Sequence, residues 1–310
     1  MSFAFIFPGQ GSQSIGMLAE LGESNSIVID TFAEASDALG YDLWSLIQNG
    51  PAEDLNQTDR TQPAMLAAGV ACWRVWQEQG GAMPTVMAGH SLGEYTALVC
   101  SGAMSLTDGV KLVADRGRFM QEAVAVGEGA MAAVLGMDDD AVRAVCSDAA
   151  EGEVLSAVNF NSPGQVVIAG NTAAVERATV LAKERGAKRA IVLPVSVPSH
   201  CSLMESAAEK LRARLAGISM NTPSVPVINN ADVDAPSDVE QIKQALVKQL
   251  SNPVRWVETI NKMSNDGINA VIECGPGKVL AGLNKRINKE FSAYPLFDTA
   301  SLTKAIEAVK

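Results

Sequence analysis

The stretch Thr85-Val86-Met87-Ala88-Gly89-His90-Ser91-Leu92-Gly93-Glu94-Tyr95 decides how this chain is read. An apolar, strand-like run reaches Gly89, and apolar residues at helical spacing continue from Leu92 to Cys100. Between them, Gly89-His90-Ser91-Leu92-Gly93 matches G-x-S-x-G. The pattern alone is weak. Its setting strengthens it, because a sharp strand-to-helix turn needs small residues at both glycine positions and projects the serine hydroxyl at a helix N-terminus. The alternative is a serine that merely caps the helix.

A serine hydroxyl needs a base to act as a nucleophile. The chain has two histidines, His90 and His200. Adjacent side chains in a tight turn point apart, so His200, in Pro194-Val195-Ser196-Val197-Pro198-Ser199-His200, is the better candidate. No carboxylate is singled out to orient it, and a backbone carbonyl can fix an imidazole tautomer equally well. Cys201 reads as a small core residue rather than a thiol nucleophile.

Two further features draw attention. Phe7-Pro8-Gly9-Gln10-Gly11-Ser12-Gln13 is a glycine-rich turn directly after the apolar run Phe3–Phe7. It could be a plain turn or a donor of backbone N–H groups to an oxyanion hole beside Ser91, with Leu92 N–H as the second donor. A dinucleotide loop fits less well: Ser14 stands where the third glycine belongs, and Asp30 continues a helical pattern. Arg116 lies on the second helix after the serine. Its spacing permits either a surface ion pair or a fork for a substrate carboxylate.

Outward from the serine, the order is strand, helices, strand, helix, which suggests α/β layering. Helical spacing covers Ile27–Leu39, Leu43–Ile47, Pro63–Trp76 and Leu106–Ala123. The rhythm changes near Gly127. Strands are expected over 131–135, 154–159, 165–169 and 189–195, with helices over 139–146 and 172–184. That is the β-α-β-β-α-β order of a ferredoxin-like subdomain. After Pro198 the longer helices return (203–215, 239–250, 254–263, 279–287), with strands over 225–229 and 270–273.

Composition excludes several classes. The 310 residues suit roughly two domains, or one with an insertion, and 47% are hydrophobic, so a buried core is available. Net charge is −11, and nine acidic residues precede the first basic one, Arg60. Neither a secretory signal nor a transit peptide fits that start, and an acidic chain does not track nucleic-acid phosphates. No apolar run reaches the ~18 residues of a membrane span. The expectation is a soluble cytoplasmic monomer with no nucleic-acid or membrane partner. Five cysteines without C-x-x-C spacing point to reduced thiols and to no metal site.

The motifs FPGQGSQ (7–13), TQPA (61–64), GHSLGEY (89–95), RGRFM (116–120), NFNSPGQVVIAG (159–170), VPSH (197–200), NPV (252–254) and GPGKVL (275–280) occur in one order along the chain. In this the sequence resembles the malonyl-CoA:acyl carrier protein transacylases of bacterial fatty-acid synthesis, related to the acyltransferase domains of polyketide synthases. The resemblance implies an α/β fold with a large α/β-hydrolase-like domain (1–126 and 198–310) and an inserted ferredoxin-like subdomain (127–197). It implies Ser91 as nucleophile, His200 as base, Gln10 and Leu92 as oxyanion donors, and Arg116 as the holder of the malonyl carboxylate. It makes the backbone carbonyl of Gln249 the group that orients His200, and Asn159 a substrate-side neighbour from the insert. Ser199 matches malonyl-using members. No cofactor is implied, since malonyl-CoA and phosphopantetheine are substrates, and acyl carrier protein is the implied partner.

An acidic carrier needs a local basic patch on an acidic enzyme. Lys183, Arg185, Lys188 and Arg189, or Lys278, Lys285, Arg286 and Lys289, could supply it. Two rivals remain at this stage. One is a non-catalytic carrier-binding scaffold. The other is a serine esterase or thioesterase, for which Asp108 and Asp138 fit the order Ser…Asp…His.

Overall fold

Residues 2–195 and 197–310 are described by a computed structural model. The two runs that flank the motif turns become neighbouring strands. Phe3–Phe7 (β1) is buried at every position, as the interior strand of a parallel sheet must be. Val86–Gly89 (β2) lies parallel beside it, with Phe7 opposite Gly89. The other parallel strands are Val227–Ile228 (β7), Ala270–Cys274 (β8) and Ser292–Leu296 (β9), and the sheet order is β7-β2-β1-β8-β9. Phe5 anchors the sheet to the helix Thr58–Glu78, with edge-on contacts to Trp73 and Trp76 at 5.1 Å each.

A second, antiparallel sheet is built from Gly129–Leu135 (β3), Leu155–Ser162 (β4), Gln165–Asn171 (β5) and Arg189–Val192 (β6), in the order β4-β5-β3-β6. Alternation along its strands serves two faces. Ala132, Val134, Val166 and Ile168 pack under the helices Asp139–Ala150 and Thr172–Glu184. Met131, Val158, Val167 and Ala169 face the other way and pack with Cys201.

The two sheets are stitched beside the site. Val254 N–H donates to Val158 O (2.8 Å), and Phe160 N–H donates to Val254 O (3.0 Å). This bridge explains one difference from the expected elements: the helix anticipated from Val254 begins at Trp256, because residue 254 is held extended. The strand expected over 189–195 ends at Val192, and that over 225–229 shortens to Val227–Ile228. The helix expected from Pro63 starts five residues earlier, at Thr58, and runs through the proline.

β9 and the final helix Thr299–Val309 were not anticipated. Pro295 argues against a strand, yet β9 lies at the sheet edge, where a missing N–H is tolerated. A readable signal for the helix was present: Asp298 accepts from Ser301 N–H (2.7 Å), and Ser301 Oγ accepts from Asp298 N–H (3.0 Å), a reciprocal cap.

The turn after β2 tolerates no side chain at its glycines. A Cβ on Gly89 would lie 1.9 Å from the carbonyl carbon of Gly93, and a Cβ on Gly93 would lie 2.1 Å from Phe7 O. Both nearest atoms are backbone and cannot swing away. Gly89→Ala should therefore destabilise the protein by at least about 3 kcal/mol, read as a lowered urea midpoint at unchanged slope. A midpoint equal to that of the unsubstituted protein would mean that the turn is looser than described.

Candidate active site

The register of β1 on β2 brings the two sequence turns together. His90 N–H donates to Phe7 O (3.0 Å), and a Cβ on Gly9 would meet His90 O at 2.5 Å. The Gln10 turn thus lies against the Ser91 turn, at the carboxyl ends of adjacent parallel strands, where open α/β sheets bind ligands. Gln10, Ser91, Leu92, Arg116, Asn159 and His200 all line one cleft of about 120 Å³. Ser199 joins them from the VPSH turn, and Met131 and Val167 from the antiparallel sheet.

Ser91 has φ 50° and ψ −105°, and His200 has φ 67°. Both are non-glycine residues at positive φ, a strain that persists where the surroundings impose it. The turn of Ser91 is held by Asn230, whose Oδ1 accepts Ser91 N–H (2.7 Å) and whose Nδ2 donates to Gly89 O (2.7 Å). That occupies the serine's own N–H. Among the described residues, neither Leu92 N–H nor Gln10 N–H is taken up by a protein acceptor. The helix Leu92–Cys100 begins here, so its unpaired N–H groups and dipole favour negative charge.

Ser91 Oγ lies 2.8 Å from His200 Nε2, and His200 Nδ1 lies 2.8 Å from Gln249 O. A carbonyl only accepts, so Nδ1 carries the hydrogen and Nε2 is left to accept from the hydroxyl. Burial, and then the Arg116 charge, push the His200 imidazole down to about 3, against the opposing bond to Gln249. The imidazole is therefore neutral at ordinary pH. Asp108 and Asp138 do not orient it. Asp138 caps the helix Asp139–Ala150 through Ala141 N–H, and Asp108 pairs with Ser105 at the start of Leu106–Ala123.

Arg116 is 1% exposed. Its Nη2 donates to Ser91 Oγ (3.2 Å) and Gln249 Oε1 (3.0 Å), and its Nη1 donates to Gln62 Oε1 (2.8 Å). Its Nε has no partner, and it forms no ion pair among the described residues. The surface ion-pair reading is therefore set aside: this is a buried cation whose neighbours are neutral oxygens.

The sequence reading missed several contributors. Gln62, in the TQPA motif, steadies Arg116 and donates to Met120 Sδ (3.4 Å). Asn161 receives His90 Nε2 at 2.8 Å, tying the antiparallel sheet to the serine turn and turning His90 away from Ser91. Asn230 has a weak signal at best, a polar residue just past a short apolar strand. Asn159, already named from the resemblance, lines the cleft with a buried, unpartnered Oδ1.

A hydroxyl on a neutral imidazole, free N–H groups at a helix start and an unpaired guanidinium are the parts of a serine-dependent acyl-transfer site. The chain belongs to the acyl transferase domain family, whose model matches residues 4–298. It is 58% identical over 304 residues to the malonyl CoA-acyl carrier protein transacylase of Salmonella typhimurium, covering 98% of each chain. It is 47% identical to that of Bacillus subtilis, covering 99% of this chain and 97% of the relative. Among solved structures, the acyl carrier protein S-malonyltransferase from Vibrio cholerae superposes with TM-score 0.96 at 59% identity over all of both chains. A malonyl-transacylase in complex with a type II PKS acyl-carrier protein superposes with TM-score 0.98 at 55% identity, over 99% of this chain and 100% of that one.

The depressed His200 value carries a sign. Because it lies below the ordinary 6.5, the unfolded chain takes up this proton first. The contribution to stability is complete above about pH 6.5 and is lost as pH falls toward 3. By imidazole NMR, His200 should show no titration between about pH 8 and about pH 5. In Arg116→Met its pKa should rise. An unmoved or lower value in the variant would remove the Arg116 charge as a cause.

Proposed function

We propose that the chain transfers a malonyl group from malonyl-CoA to the phosphopantetheine thiol of acyl carrier protein, through an ester on Ser91. The observation that carries this reading is the placement of Ser91 Oγ between His200 Nε2 at 2.8 Å and the ion-pair-free Arg116 Nη2 at 3.2 Å. One neighbour can take a proton and the other can hold a carboxylate.

As Oγ attacks the thioester carbonyl, Nε2 takes its proton. The developing oxyanion is held by Leu92 and Gln10 N–H, each donor contributing about 3 kcal/mol in sites of this kind. The carbon–sulfur bond breaks and coenzyme A leaves with the proton from Nε2. The carrier thiol then gives its proton to Nε2 and attacks the ester, and Ser91 Oγ leaves with that proton. Two half-reactions on one serine give ping-pong kinetics. Arg116 holds the malonyl carboxylate throughout, and Asn159 faces the acyl group from the insert. An acyl group without the carboxylate leaves the buried guanidinium unpaired, so malonyl is preferred to acetyl.

The large unit reads as α/β-hydrolase-like, spanning 1–126 and 198–310, with a ferredoxin-like insert over 127–197. The antiparallel order β4-β5-β3-β6, with helices following β3 and β5 along the chain, supports the insert. A cytoplasmic monomer that needs neither metal nor cofactor fits this chemistry. No helix among the described residues is long and apolar enough to cross a membrane. The esterase reading loses its acid, since both candidate aspartates serve helix starts.

Mixed with malonyl-CoA and no carrier, the protein should gain one malonyl group by intact mass. Ser91→Ala should gain none, and acetyl-CoA should label weakly. Arg116→Ala should lower the malonyl-over-acetyl preference by roughly 10²-fold. Slow hydrolysis without an adduct would favour the esterase, and no turnover at all the scaffold.

Reversing the charges of Lys183, Arg185, Lys188 and Arg189, or of Lys278, Lys285, Arg286 and Lys289, should raise KM for carrier protein in one set and leave malonyl-CoA use unchanged. Within these sets, Arg185 pairs with Asp148 (2.6 Å) and Arg286 donates to Gln165 Oε1 (2.9 Å). No effect from either set would place the docking surface elsewhere.

A further inference from the structure

Glu94 follows the serine by three residues, is 2% exposed, and has no part in the steps above. Its Oε2 accepts two N–H groups, Asn230 N–H and Gln249 Nε2, each at 2.8 Å. Gln249 Nε2 also donates to Ser91 O (2.9 Å), while Gln249 Oε1 accepts from Arg116 Nη2 (3.0 Å).

A primary amide has a donor face and an acceptor face, and a half-turn exchanges them. Turned over, Gln249 would aim its NH2 at the Arg116 guanidinium and its oxygen at Glu94 Oε2 and Ser91 O. Every one of those contacts would be donor on donor or acceptor on acceptor. The acceptor at position 94, beside the Ser91 carbonyl, thus helps to keep the Gln249 oxygen facing Arg116.

We propose that Glu94 is a positioning residue for substrate selection: by fixing the side-chain amide of Gln249, it aims the Arg116 guanidinium at the carboxylate of the incoming acyl group. This rests on the reading that Arg116 holds that carboxylate. The orientation of His200 is separate, because it uses the backbone carbonyl of Gln249. Asn230, whose N–H also reaches Glu94, holds the serine turn through its own side chain, so loss of Glu94 acts on selection more than on base catalysis.

The device works by acceptor geometry rather than charge. Both N–H bonds land on Oε2, so Oε1 is free to carry a proton without disturbing them. Burial raises the Glu94 carboxyl to about 7, against the opposing effects of the Asn230 and Gln249 bonds and the Arg116 charge. The ionisable groups around it are Arg116 from the helix Leu106–Ala123, Asp232 from the loop after β7, and Tyr95 on its own helix. His200 lies beyond Gln249.

The test is the rate of Ser91 acylation by malonyl-CoA and by acetyl-CoA, followed by intact mass, in the unsubstituted protein and in E94L, E94D and E94Q. E94L should lower the malonyl-over-acetyl ratio of kcat/KM by roughly 10-fold or more, mainly through KM for malonyl-CoA, with acetyl loading within about 3-fold. E94Q presents an amide oxygen where Oε2 stands and should restore the ratio to within about 3-fold. E94D, a methylene short of both N–H groups, should move the ratio as E94L does and decides the matter where E94L fails to fold. Across about pH 6 to about pH 8 the unsubstituted protein should hold a constant ratio. A folded E94L or E94D with an unchanged ratio overturns the proposal. So does an E94Q as defective as E94L, a ratio that follows pH, or equal loss with both substrates. Absence of any malonyl adduct on the unsubstituted protein would instead overturn the transferase reading beneath it.

Discussion

The seating of one turn on another holds this site together. Gly93 fits against the carbonyl of Phe7 and Gly89 fits against Gly93, with room for no side chain at either place. That contact exists because β1 and β2 are parallel neighbours with Phe7 opposite Gly89. It forces the chain through a conformation that costs a serine on the order of 1–3 kcal/mol. The strain is borne by a rigid frame: a fully buried strand on one side, and on the other Asn230, which grips the turn at both Gly89 O and Ser91 N–H. In return the hydroxyl stands clear at the start of a helix, and the Gln10 turn is delivered beside it.

A second constraint is electrostatic. A guanidinium that is 1% exposed and has no carboxylate partner is expensive to bury. Its neighbours are the amide oxygens of Gln62 and Gln249 and the hydroxyl of Ser91, which solvate the charge without neutralising it. The nearest buried acid, Glu94, is one amide removed. The same unneutralised charge helps to keep His200 deprotonated.

The antiparallel sheet closes the cleft. Its apolar face supplies Met131 and Val167, and its β4 edge is tied down by the Val254 bridge and by the Asn161–His90 bond. Apolar walls (Leu92, Met120, Met131, Val167) thus face a polar side formed by Gln10, Ser91, Arg116, Asn159, Ser199 and His200.

Much of this was legible in the sequence because it is local. The strand–turn–helix around Ser91, the glycine requirement and the β-α-β-β-α-β order follow from spacing and residue type. The N-terminus of the helix Leu106–Ala123 lies where its pattern begins. What failed was equally physical. Helix starts shifted where a tertiary bond held the chain extended, as at Val254, or where packing carried a helix past a proline, as at Pro63. β9 was hidden because its proline is tolerated only at an edge, and an edge is a property of the assembled sheet.

The site divides in the same way. Sequence by itself determined which hydroxyl would be exposed and which histidine could reach it, because a tight turn and a scarcity of histidines leave little choice. Tertiary structure decided whether Arg116 met an ion-pair partner or a neutral pocket, how the Gln249 carbonyl named from the resemblance reaches His200, and that Glu94, Gln249 and Asn230 form one network beneath the serine. Those groups lie up to 158 residues apart along the chain. Hydrogen-bond partnership at such separation depends on how helices and sheets pack, and spacing along the chain carries no record of it.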